Sequence, residues 1–143
     1  MATNKTFLTI LTLVVAVGSF MLSRVIWPDA PGMPSPVGAQ LALLIIVSAI
    51  ESIALGVGVA FLVSLFGMMR GRSMGDWLAY ISAAWLLISW WPHDNMHRVT
   101  MMGDFWRLIK IEWIFHVTLI VAGVILASMV WKKMAAQASQ ANG

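Results

Sequence analysis

Four apolar stretches dominate the chain, at residues 6–27, 39–69, 77–91 and 111–131, and none contains more than one charged side chain. A helix that spans the hydrocarbon core of a bilayer needs about 20 mostly apolar residues. The first and fourth stretches fit that length directly. The second is long enough to tilt or protrude, and the third must borrow residues beyond Trp91. The chain is 60% hydrophobic and 10% charged, whereas a soluble globular protein carries about 25% charged residues. A chain of 143 residues cannot hide that much apolar surface in its own core, because small domains leave much of their surface exposed. Lipid is the solvent that resolves the mismatch. The expectation is an all-α integral membrane protein, a compact bundle of four transmembrane helices forming one domain over residues 1–143. The helices are expected at about 6–27, 39–69, 77–96 and 104–131.

The connectors are of different kinds. Residues 28–38 read PDAPGMPSPVG, an extended link set by its prolines and glycines. Residues 70–76, RGRSMGD, form a tight polar turn. Residues 92–110 make a longer link, in which Asp104 is suited to cap a helix that starts before the bilayer. The tail at 134–143 is small and polar and is expected to fray. Lys5 and the following apolar run resemble the start of a signal peptide, but no convincing A-x-A site follows, so the segment is expected to stay as a helix. Lys5, Arg70, Arg72, Lys132 and Lys133 fall on one side of a four-crossing arrangement, which places both termini in the cytoplasm. Arg98, Arg107 and Lys110 fall on the other side and offset part of that bias. Tryptophans cluster near both expected boundaries, as in an aromatic belt. Ser52, Gly56 and Ala60 lie four apart on the second helix, a spacing that lets membrane helices approach closely. The basic residues punctuate apolar runs and form no nucleic-acid patch. With no cysteine, disulfides, thiolate metal sites, iron–sulfur clusters and cysteine nucleophiles are excluded.

Ionisable residues inside membrane segments are costly and mark functional positions. Counting about 20 residues from each cytoplasmic boundary brings Arg24, Glu51, His93 to His97, and Glu112 to one level near the outer interface. His93 and His97 are four apart, as are Glu112 and His116, so each pair projects from one helical face. Such pairs can bind one metal ion, and Glu51, Asp94 and Asn95 could complete the shell. Three histidines with two or three carboxylates suit zinc, iron or copper(II), while the nearby thioethers of Met96, Met101 and Met102 favour copper(I). A structural polar network is the competing account: Glu112 bonded to His116, and Arg24 paired with Glu51. Arg24 could also balance surplus carboxylate charge, or hold an anionic substrate or lipid head group.

Three functions follow. The first is a small metalloprotein of a bacterial-type inner or plasma membrane, handling a metal or using it in chemistry. The second is a non-catalytic subunit or assembly factor, bound to other membrane helices in a homo-oligomer or a larger complex. The third is proton or solute transport by an oligomer, which the lack of ionisable groups in the inner half disfavours for a monomer. No Walker loop, GxGxxG, GxSxG or HExxH motif is present, and no catalytic reaction is assigned.

Overall fold

The structure is a computed structural model that describes residues 4–28, 32, 34–100 and 104–141. Among these residues all regular structure is helical: α1 Lys5–Ile26, α2 Gly38–Phe66, α3 Met74–Ile88, α4 Trp90–Val99, α5 Phe105–Ile111, a π-helical turn Glu112–Val117, and α6 Thr118–Ala141. The starts have local causes. Asn4 caps α1 by accepting from the Thr6 N–H, and Asp104 caps α5 by accepting from the Arg107 N–H. Ser73 and Asp76 cap α3 reciprocally.

Three helices are long and apolar enough to cross a membrane: Lys5–Ile26, Gly38–Phe66 and Phe105–Gln140, the last counting α5, the π turn and α6 as one rod. The third expected helix is instead divided. Pro92 has no N–H to offer the Ile88 carbonyl four residues back, and the helix breaks there, between α3 and α4. The bonds on either side of the gap persist, from Ser89 N–H to the Trp85 carbonyl and from His93 N–H to the Ser89 carbonyl, each at 3.0 Å. Alone, the 15 residues of α3 reach about 22 Å at 1.5 Å per residue. Within the described residues α6 continues through the polar tail to Ala141.

Successive helices pack side by side: α1 on α2, α2 on α3, and α3 on α6. The α1–α2 contact depends on small residues. Ser52, Gly56 and Ala60 are all buried, and a Cβ at Gly56 would sit 2.4 Å from the Thr12 carbonyl oxygen. Aromatic and hydroxyl groups fasten the other contacts. Tyr80 donates to the Leu62 carbonyl at 3.2 Å. Trp85 donates to the Thr118 hydroxyl at 2.8 Å and stacks on Phe115, with the rings 6.0 Å apart. Outward, α1, α2 and α6 expose large apolar side chains such as Met21, Val25, Ile46, Ile50, Ile120 and Val124. Faces of this kind suit lipid or another protein surface.

Candidate metal centre

The Pro92 break leaves α4 as a short, polar helix whose histidines face the start of the α5–α6 rod. His93 and His97 lie one turn apart on α4, and His116 comes from the π turn. Each of the three offers a ring nitrogen, and these nitrogens lie within 4.8 Å of one another. The rings touch pairwise: His93–His97 at 4.6 Å, His93–His116 at 4.7 Å and His97–His116 at 5.7 Å between centroids. Phe115 lies against His93 at 5.3 Å and, with Trp85 stacked behind it, forms an apolar wall. His93 Nε2 is buried and has no hydrogen-bond partner among the described residues. A buried nitrogen with a lone pair or a proton to satisfy is costly unless something binds it.

Glu112 joins the cluster from the π turn. One carboxylate oxygen is in direct contact with His116 Nδ1, and the other lies 4.0 Å from His97 Nε2. π-Helical turns are rare and occur often at functional sites. Here the widened turn carries both Glu112 and His116. Thr118 follows it: its hydroxyl donates to the Ile114 and Phe115 carbonyls of the turn and accepts from Trp85 Nε1.

No known protein family, curated protein or solved structure matches this chain. What the site can do therefore follows from its own donors. Three imidazoles at the mouth of a half-exposed cluster could hold a transition metal. The absence of cysteine rules out an iron–sulfur cluster.

Glu51, Asp94 and Asn95, also expected in the site, belong to a second, adjacent group. The carboxyl groups of Glu51, on α2, and Asp94 lie side by side, and Arg98 lies near enough to act on Glu51 electrostatically. Asn95 is buried; its amide donates to the Trp91 carbonyl at 2.8 Å and its oxygen accepts from Arg98 at 3.0 Å. Arg98 also donates to the carbonyl of Trp27, at the C-terminal end of α1, at 3.1 Å. A cation there complements the helix dipole, and Trp27 packs edge-on against Trp91 at 4.9 Å. The group around Glu51 and Arg98 thus clips α1 and α2 to α4. Arg24 lines another groove, of about 360 Å³, between α1 and α2. Met96 is half-buried on α4, while Met101 and Met102 lie outside the described residues.

Sequence reasoning overlooked Arg98, Trp85 and Thr118 as parts of the assembly around the site. A signal was present for the first. Arg98 follows Asp94 by four residues, so the two share a face of α4, about 100° from the face of His93 and His97.

Proposed function

We propose that this chain is an integral membrane protein that binds one divalent transition metal ion through His93, His97 and His116, at the outer end of a bundle crossing the bilayer four times with both termini in the cytoplasm. The observation that carries the metal reading is the convergence of three imidazole nitrogens, one of them buried and unbonded. Metal–nitrogen bonds of about 2.0–2.1 Å in a tetrahedral zinc site set its nitrogens roughly 3.3 Å apart. The nitrogens, now within 4.8 Å of one another, need to draw together by up to roughly 1.5 Å to reach that spacing, which side-chain torsions supply. Three histidines with a fourth position open to solvent is the donor set of a site that exchanges or activates a ligand rather than a closed structural site.

Glu112 has two roles open to it in this reading. It can join the ligands, or it can stay on His116 Nδ1, hold that proton, and so present Nε2 to the ion. The contact with His116 Nδ1 favours the second, the usual arrangement of a carboxylate behind a metal-bound imidazole. When bound, the ion would act as a Lewis acid toward water or another small ligand. The protein's part is to fix three nitrogens on two helices and to exclude water from one side with Phe115 and Trp85. In the four-crossing arrangement, α3 and the first turn of α4 together supply the third passage.

Metal analysis of protein purified without chelators or a histidine tag is expected to return close to one ion per chain. His93→Ala/His116→Ala is expected to lose it while keeping the helical content of the parent. Wild-type protein that is folded yet carries and accepts no zinc, copper or iron would overturn the metal reading.

A further inference from the structure

At the end of the bundle away from the histidines, α2, α3 and α6 part to leave a groove of about 440 Å³. That volume lies in the range of sites for small ligands, about 300–1,000 Å³. Its walls are apolar, built from side chains such as Phe61, Leu65, Tyr80 and Leu126, and Arg72 and Lys133 stand among its lining residues together with Asp76. Asp76 is already engaged: one carboxylate oxygen accepts both the Ser73 N–H, at 3.2 Å, and the Ser73 hydroxyl, at 2.8 Å, to cap α3. Arg72 is steadied by its Nε, which donates to the Met68 carbonyl at 3.2 Å. That bond uses neither of its terminal amino groups. A second groove of about 380 Å³ follows the other flank of α3 and α6, and Lys132 and Lys133 both line it. Lys133 therefore belongs to two apolar grooves at once.

An apolar channel with an excess of positive charge at one end is complementary to an amphiphile with a negative head. A soluble anion has no use for the apolar walls. A zwitterionic lipid brings no net charge to the cations. We propose that this end of the bundle holds an anionic phospholipid, its phosphate on Arg72 and Lys133, one acyl chain in the larger groove and the other in the groove that shares Lys133. Long basic side chains suit this task, since their stems lie along apolar surface while their charges reach the head-group layer. The proposal rests on the membrane reading above and is independent of the metal.

The test uses the full chain. Protein that resists carbonate extraction of its membranes is placed in nanodiscs of equal phosphatidylglycerol and phosphatidylcholine, then released for native mass spectrometry. About one phosphatidylglycerol per chain is expected to stay bound under conditions that remove phosphatidylcholine. Each basic residue near an anionic lipid contributes about fivefold in affinity, so Arg72→Gln/Lys133→Gln is expected to lower retention by more than about tenfold. Arg70→Gln, which removes a charge from the same connection but outside the grooves, is expected to leave retention unchanged. Ala83→Phe narrows the larger groove without touching charge and is expected to weaken retention too. Equal retention of the two lipids by the wild type, or an equal loss in Arg70→Gln, overturns the lipid site. The wild-type comparison needs no substitution, so a variant that misfolds leaves it standing. Protein released by carbonate would overturn the membrane reading itself.

Discussion

The α1–α2 pair and the α3–α6 pair solve the same packing problem in different ways. Between α1 and α2 the side chains are reduced until the backbones nearly touch: Gly56 leaves no room for a Cβ beside Thr12, and Ser52 is all but fully buried. Between α3 and α6 the contact is made by large groups, Trp85 on Phe115 and Trp85 on Thr118. The first interface fixes distance. The second is held apart by rings, interrupted by Pro92 on one side and by a π turn on the other, and the histidines gather where those interruptions meet. Close backbone packing makes a rigid frame. Looser, aromatic packing leaves room for side chains to converge on a ligand.

The sharpest way to break this comparison is at the histidines, where the largest effect is expected. Replacing His97 by Ala removes one of three ligands and is expected to weaken metal binding by at least about 100-fold, or about 2.7 kcal/mol. Helical content and thermal stability measured without metal should hardly change, because the frame lies elsewhere. Glu112→Gln keeps the shape but loses the charge on His116, and is expected to cost about 10–100-fold in affinity, the range for groups behind a metal-bound histidine. Competition titration with a metal-binding dye measures both. If Glu112→Gln binds as weakly as His97→Ala, Glu112 is a ligand and not an orienting group.

The frame itself is tested at Gly56. Gly56→Leu drives a side chain into the Thr12 carbonyl and Ala16, and is expected to lower stability by about 1–3 kcal/mol, the usual cost of overpacking. Thermal unfolding in detergent reads it. Metal affinity of the fraction that remains folded should stay close to that of the parent. A parallel loss of metal affinity would show that the two interfaces are coupled.

How far the residues alone lead depends on the kind of interaction. Helices, and the three long apolar ones above all, are legible because a run of about 20 apolar residues has few other fates. The meeting of His93, His97 and His116 is nearly legible too, since two pairs at i,i+4 on neighbouring helices at one depth have to face something. The partition of the carboxylates is harder. Depth counting brings Glu51 and Asp94 to the right level but says nothing about direction around the helix axis. Asp94 is one residue beyond His93, hence about 100° away, and it meets Glu51 on a different side of α4. The break at Ile88 is written in Pro92, yet a proline near a helix end can be read as loop or kink, and contacts between helices decide which. The π turn has no signature in composition. The contact beside it, Trp85 donating to Thr118, joins residues 33 apart on different helices.

That contact supplies the smallest effect and the most discriminating one. Thr118→Val preserves shape and removes the hydroxyl that bonds the Ile114 and Phe115 carbonyls and receives the Trp85 N–H. The hydroxyl has one proton to share between two carbonyls of its own helix, and such back-bonds add little; the loss is chiefly that of the Trp85 bond, about 0.5–1.5 kcal/mol, so overall stability is expected to fall by about 1 kcal/mol, at the low end of the range for Gly56→Leu. The consequence for metal should exceed the consequence for stability. Without Thr118 the turn can relax toward a regular α-helix, which rotates His116 relative to His93 and His97 and carries its nitrogen away from the other two. About a tenfold weaker metal affinity is expected, with a change in the ligand field of a bound cobalt(II) or copper(II) probe. A Thr118→Val protein of lowered stability but unchanged affinity and spectrum would mean that His116 is held by Glu112 and Phe115 alone, and that the π turn is a by-product of packing rather than the device that aims the third histidine.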